Sequence, residues 1–496
     1  TGTANHAEGY QALSTNTSGH DNHAFGGLAL RYNTTGAYNL AVGYAALYNN
    51  TSGWYNHAVG YNALYANTTG SPNHADGYKA LRSNTTGRWN LACGYQSLYS
   101  NTVGDNSLAI GYRALYSNTA SRNTAIGHQS LNHNTTGGQN QAFGHMSMHW
   151  NTTGAGNLAE GYYALSSNTT GSYNQAIGFE ALNQNTTGWD NLAIGFGALL
   201  SNTTGGNNFA VGDSALYNSN STSPNMAVGN GALFNNTTGN WNLAIGRSAI
   251  GSNTTGASNQ ATGMSSLFAN VTGSNNQADG YCSLQSNYSG NNNQASGYSA
   301  LYNNTIGSYN LAVGYQAMYN TTTSVTSLGT ITNEGYGYPV GTHTGVALDG
   351  YTSAGFLTAP TATLVVDGSG YVTSVTLETG GTGFRSPTDV LTAYLSGGFG
   401  LTIPVSSLST GQYNTAFGYQ ALYSNMIGSS NHAVGYKALY SNTGNYNQAD
   451  GYKALYFNTT GANNLAVGYK ALYSNTTGGI NQACGYKALY SNTTGN

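Results

Sequence analysis

Apolar and polar positions recur along this chain with a period of 17 residues, and the recurrence defines the faces of each repeat. The unit reads N-x-A-x-G-Y-x-A-L-Y-S-N-T-T-G-x-x, with positions numbered 1 to 17. Ala at position 3 and Gly at position 5 occur in all 24 copies, and Asn at position 1 in all but one, where Ser107 stands. Position 9 is Leu except for Met148, Ile250 and Met318. In the third copy the fixed positions are Asn39, Ala41, Gly43, Leu47 and Asn50, the expected structural core of the repeat. A unit of 17 residues is too short for a helical pair and carries no 3.6-residue apolar stripe. It has room for two short strands and two turns, one coil of a parallel β-solenoid. Coils stacked at strand spacing rise about 4.8 Å each, so the repeats predict a rod on the order of 115 Å long.

Strand parity assigns the faces, since alternate residues point to opposite sides. Position 4 is acidic in five coils (Glu8, Asp76, Glu160, Asp279, Asp450) and Val, Ile or Phe in many others. Position 2 is Leu in some coils, His in five and Gln in seven. Charges are costly inside a narrow coil, so positions 2 and 4 are expected outside and Ala at position 3 inside, opposite Leu at position 9. That leaves a thin core of about two apolar side chains per coil. It also leaves a long outward row of Leu, Val, Ile and Tyr, the kind of surface that marks a partner interface, so identical chains are expected to pack along the rod.

Asn at positions 1 and 12 suits corners, where it tolerates left-handed backbone and its amide can bond the coils on either side. Gly at position 15 suits a turn with positive φ. Two coils are one residue short, and both lose it at this corner, in Asn118-Thr119-Ala120-Ser121 and Asn442-Thr443-Gly444. The repeat is also interrupted there once, between Gly314 and Gly418. The expected organisation is coils 1 to 19 in residues 1–322, an inserted β-rich lobe in 323–409 and coils 20 to 24 in 410–496. The lobe holds four of the six prolines. Its runs Ala362–Val366 and Tyr371–Leu377, joined by Asp367-Gly368-Ser369-Gly370, predict a β-hairpin. The chain begins at position 14 and ends at position 16 of the repeat, so it reads as a segment of something longer or a processed product.

Composition narrows the partners. Only 5% of residues are charged and the formal net charge is −3, which gives no basic stripe for nucleic acid or an anionic membrane. No apolar run approaches a bilayer span, so membrane insertion is not expected. Cys93, Cys282 and Cys484 lie far apart and without metal-ligand spacing. No cofactor is expected.

The segment Asn39-Leu40-Ala41-Val42-Gly43-Tyr44-Ala45-Ala46-Leu47 resembles the head repeats of trimeric autotransporter adhesins, and the longer G-Y-x-A-L-Y-S-N-T-T-G form is similar to repeats in phage tail fibres. The resemblance implies a left-handed β-roll assembled as a homotrimer. It implies a non-catalytic structural or adhesive fibre, extracellular, on a virion tail or a cell surface, whose partners are its own copies and a host-surface glycan or protein. A bacterial adhesin or a self-assembling extracellular filament is the alternative. The adhesin repeat is shorter, and the extra length here lies in the Asn-Thr-Thr-Gly corner. In the lobe, Gly380-Gly381-Thr382-Gly383-Phe384 followed by Pro387-Thr388 is similar to modules of phage tail structural proteins.

Several residues invite chemistry. Histidines at position 2 (His6, His23, His57, His74, His432) could ring an ion if three chains met there, against the plainer reading of surface polarity. Thr pairs at positions 13 and 14 invite an ice-binding reading, and the Asn-Thr-Thr triplets are glycosylation sequons. Tyr at positions 6 and 10 forms ladders that stack between coils or bind sugars. Lys437, Lys453, Lys470 and Lys487 line up at position 7 and read as a solubilising row. A polysaccharide-cleaving enzyme would need paired carboxylates, and the position-4 acids are several coils apart. In the lobe, Asp349, Asp367, Glu378 and Asp389 have no spacing that demands a site, and no catalytic residue is assigned. Receptor contact is expected from Tyr336, Tyr338, His343, Tyr351, Phe384 and Arg385 of the lobe.

Overall fold

A computed structural model of the chain describes residues 2–221, 223–321, 324–328, 330–350, 360–379, 390–393 and 399–495. Among these residues every regular element is a strand, and the repeats form a parallel β-solenoid with the 17-residue period of the sequence. Each coil contributes one strand, usually three residues long, such as Leu40–Val42. It pairs in register with the next, Leu40 opposite His57, Ala41 opposite Ala58 and Val42 opposite Val59. The expectation of two strands per coil fails, because consecutive turns take the place of the second. Ala46 donates to the Gly43 carbonyl at 3.4 Å and Asn50 to the Leu47 carbonyl at 3.1 Å, each closing a four-residue turn.

The turns explain where left-handed backbone is spent. Positive φ falls at position 7 (Ala45, 52°), position 9 (Leu47, 51°) and position 17 (Tyr55, 56°), not at the asparagines. Such a conformation costs an L-residue roughly 1 kcal/mol or more. In return each of these residues aims its N–H along the stack. Ala45 donates to Gly27 at 2.9 Å, Leu47 to Ala63 at 3.0 Å and Tyr55 to Ala37 at 3.2 Å. One coil alone has no such acceptors, so the neighbouring coils hold this backbone in place.

The glycines at positions 5 and 15 answer different demands. Gly43 at position 5 has φ of 125°, beyond the reach of any residue with a Cβ, and a Cβ there would lie 2.7 Å from the Gly60 carbonyl oxygen. Gly53 at position 15 does not have the positive φ expected of it. It is glycine because a Cβ would meet the Asn50 amide oxygen and the Gly70 carbonyl, the latter at 2.7 Å.

The interior holds more than Ala and Leu. Ala41, Ala46 and Leu47 are fully buried, which adds position 8, always Ala or Ser, to the expected pair. Where Ser occupies position 8, as in Ser97, its hydroxyl donates to the Gly94 carbonyl at 3.2 Å. Asn39 and Asn50 are buried as well and form two amide ladders. Asn56 Nδ2 donates to Asn39 Oδ1 at 3.2 Å, and Asn67 Nδ2 to Asn50 Oδ1 at 2.8 Å. The second hydrogen of each amide goes to the position-15 carbonyl of its own coil, Asn39 and Asn50 both reaching Gly53 O, at 2.9 and 3.1 Å. The expected amide bonding between coils is present, and it lies inside the coil. Such pairing is what makes two buried amides per coil tolerable, and it lapses at Asn101 and Asn202, whose buried amide oxygens have no partner among the described residues.

Two compact units divide the chain, Thr1–Thr238 and Gly239–Asn496. The first carries 14 of the strands, from His6–Glu8 to Met226–Val228. The second carries ten, from Leu243–Ile245 to Gln482–Cys484, together with the insertion. The coil stack of this second unit runs straight across the insertion, Leu311 pairing with Thr415 and Ala312 with Ala416. Strands Ser324–Leu328, Asn333–Tyr336, Gly341–Gly350, Thr361–Val366, Val372–Thr379, Val390–Ala393 and Phe399–Ser409 form a separate antiparallel sheet. The expected hairpin is there, Leu364 opposite Val375, with Asp367 Oδ1 accepting the N–H groups of Ser369 and Tyr371. Leu348, Leu364, Val372, Leu401 and Ile403 are among its core residues.

Candidate functional site

Outward side chains form continuous rows because the coils stack without offset in register. At position 6 of the first unit, ten rings from Tyr44 to Phe196 lie nearly parallel with centroids 5.0 to 5.5 Å apart. In the second unit, eight tyrosines from Tyr281 to Tyr486 do the same at 5.1 to 5.2 Å. A parallel row at position 10 runs from Tyr302 to Tyr490. Stacking between coils is therefore the role the rings serve within the chain, and each ring face is covered by the next ring. Edges and hydroxyls are left outward. Burial pushes the phenols of Tyr302, Tyr319 and Tyr440 above the usual tyrosine range, so they stay protonated donors at neutral pH.

Between the two rows lie the lysines. Lys437 Nζ is 5.5 Å from the ring centre of Tyr436 and 5.2 Å from that of Tyr440. Lys453 sits at 5.5 and 5.3 Å from Tyr452 and Tyr456, and Lys470 at 5.5 and 5.2 Å from Tyr469 and Tyr473. Lys487 repeats the arrangement with Tyr486 and Tyr490. These ammoniums are held by paired cation–π contacts, so a solubilising row is an incomplete description. The sequence signal that could have found the site is that all five of the chain's lysines stand at one repeat position, four of them in successive coils.

The strand face bears positions 2 and 4. Its position-4 row is apolar over coils 11 to 14, where Ile177, Ile194, Val211 and Val228 stand in register, and Leu192, Phe209 and Met226 flank it at position 2 in coils 12 to 14. Polar residues interrupt it elsewhere. His57 and His74 face each other, Nδ1 to Nδ1 at 3.0 Å, one donating and one accepting. Burial first, and then the His57 charge, holds His74 below the usual histidine range, with Asp76 opposing. Unfolding thus releases a group that binds protons more readily, and stability falls as pH drops below about 6.5. His133 and His149, also lowered mainly by burial, act in the same direction. We expect the chain to melt at lower temperature at about pH 5 than at about pH 7.5, with H74Q reducing the difference. An identical pH profile in H74Q would remove this histidine from the account. Among the described residues no three His, Cys, Asp or Glu side chains gather as a metal site requires.

The Thr corner offers fewer free hydroxyls than the sequence promises. At position 13, Thr34 Oγ1 donates to the Thr51 carbonyl at 3.0 Å and Thr51 Oγ1 to Thr68 at 3.1 Å, so this row is engaged within the stack. The sequon asparagine at position 12 is the buried ladder residue, with its amide nitrogen fully used. The shortened coil 7 opens a polar notch of about 400 Å³ beside Asp105, Ser121, Arg122 and Gln139.

In the lobe, three of the expected receptor residues, Tyr336, Tyr338 and His343, lie among the described residues. Tyr336 is 62% exposed, and His343 is half-buried with Nε2 2.7 Å from the Pro339 carbonyl. Tyr338 is only 3% exposed and its hydroxyl accepts the Leu401 N–H at 3.4 Å, so its ring belongs to the lobe's packing. Tyr351, Phe384 and Arg385 lie outside the described residues, as does Asp389. Asp367 caps its hairpin turn, and Glu378 accepts from the Thr363 hydroxyl and the Gly345 N–H.

No family model, no curated protein and no solved structure matches this chain.

Proposed function

We propose that the chain is a segment of a non-catalytic structural and adhesive fibre of the phage or viral tail-fibre kind, assembled as a homotrimer outside the cell and used for host attachment. The observation that carries the reading is the apolar strand face, where Ile177, Ile194, Val211 and Val228 form an unbroken row. A surface of this kind is stable in water when another surface covers it, and an identical chain presents a matching row at the same spacing. Coil-to-coil backbone bonds supply stiffness, and repetition supplies many equivalent contact points. The lobe of residues 323–409, inserted at a corner without disturbing the coil pairing around it, serves as the receptor-binding element.

Light scattering on the purified chain tests the assembly. A mass of three times 51.4 kDa supports the trimer. A single-chain mass overturns it, and mass that grows with concentration moves the reading to a self-assembling filament. Attachment to host cells, compared with a chain lacking residues 323–409, tests the lobe. Undiminished attachment would move recognition to the coils.

A further inference from the structure

The fold does not require lysine at position 7. Gln316 and Gln420 occupy the same position in the two preceding coils, and their side chains bond each other at 2.9 Å in an identical ring setting. Replacing glutamine by lysine in the next four coils swaps that bond for a column of like charges at coil spacing, which costs stability unless something anionic lies along it. Residues 410–496 contain four lysines and one acidic residue, Asp450, which faces His432 at 3.8 Å and not the lysines. This end of the second unit is thus basic in a chain of net charge −3.

We infer that coils 21 to 24 bind a linear acidic polysaccharide along Lys437, Lys453, Lys470 and Lys487. The flanking tyrosines repeat every 5.0 to 5.4 Å here, close to the advance of one pyranose along an extended chain, so the carboxylates that the polymer turns toward the strip meet ammoniums in step. Phenol hydroxyls and ring edges on both sides suit the hydroxyl-rich flanks of a sugar. A single-stranded nucleic acid is the other extended polyanion, but it binds by stacking bases on aromatic faces, and these faces are closed against one another. A second copy of the chain is also disfavoured, because its matching strip would bring lysine against lysine.

The inference rests on the adhesive reading and names its ligand class, and the two can fail separately. The full chain is titrated with polygalacturonate, a neutral linear β-glucan and single-stranded poly(dT). Polygalacturonate binding is expected to weaken about tenfold or more in the K437Q/K453Q/K470Q/K487Q variant and at high salt, with the four-arginine variant retaining it. Far-UV circular dichroism guards against misfolding, and the salt dependence of the unaltered chain stands without any variant. Equal binding of the neutral glucan, unchanged binding by the glutamine variant, or preference for poly(dT) would overturn it. Host attachment without polygalacturonate binding sinks this inference alone, whereas polymer binding without host attachment sinks the adhesive reading alone.

Discussion

Alanine in place of Gly178 is expected to break the coil stack of the first unit at that point, at a cost above about 4 kcal/mol. Gly178 has φ of 136°, a region that essentially only glycine enters. A Cβ there would also lie 2.5 Å from the Gly195 carbonyl oxygen and 2.8 Å from its carbon. The neighbour has little freedom to withdraw, because Gly195 itself donates to the Ile177 carbonyl at 2.9 Å. Both penalties fall on backbone, so no rotamer change relieves them. In a repeat stack the damage stays near its origin, since each coil touches chiefly its neighbours. New protease cleavage and loss of hydrogen-exchange protection around residue 178 are therefore the readouts. Gly138→Ala is the control, its added Cβ 3.3 Å from one carbonyl oxygen, with an expected effect of about 1 kcal/mol or less. Equal effects of the two variants would refute the argument.

The second large effect belongs to Asn174, fully buried in the position-1 ladder. Its amide donates to Asn157 Oδ1 at 3.2 Å and to Gly188 O at 2.8 Å, while its own oxygen accepts the backbone and side-chain N–H groups of Asn191 at 3.2 and 3.0 Å. N174A strands two donors of Asn191 in the interior and should cost about 3 to 5 kcal/mol. N174D keeps the shape but turns a donor into an acceptor, facing the Gly188 and Asn157 oxygens. Burial among acceptors raises the pKa of such a carboxyl, so the folded state takes up the proton that the unfolded state releases. Stability of N174D should therefore recover as pH falls toward about 4, opposite in sign to the histidine effect, and melting curves across pH would show it. An N174D variant that loses more stability on acidification than the unaltered chain would refute the assigned donor pattern.

The repeat ruler made the period, the inward Ala41 and Leu47 and the outward strand positions legible, because parity along a strand is a property of sequence spacing. The turn geometry was not. Propensity places positive φ at glycine and asparagine, whereas the coil puts it at Leu47, Ala45 and Tyr55 and keeps Asn39 and Asn50 out of it. Only bonds from adjacent coils make that choice worthwhile, and no local rule contains them. Asn39 looks like a corner residue for the same reason, since its burial depends on a carbonyl 14 residues away in Gly53. The lysine row was visible as spacing, but its seat between two tyrosine rows follows from the turn that places positions 6, 7 and 10 side by side. For the lobe residues, Tyr338 shows that an aromatic in a short Gly-rich run fills a core as readily as it presents a surface.

The amide ladders have a direction. In each unit the nitrogen of a later asparagine reaches back to the oxygen of the earlier one, as Asn39 does to Asn22 and Asn56 to Asn39. A finished coil thus offers bare acceptors on the side from which the rest of the chain emerges during synthesis. Each new coil can dock on a completed template by contacts only one repeat apart in sequence, a vectorial assembly with little loop-closure entropy at any step. An unfinished molecule is then a shorter stack with one growing face, and its exposure to misfolding is confined to a single coil at a time.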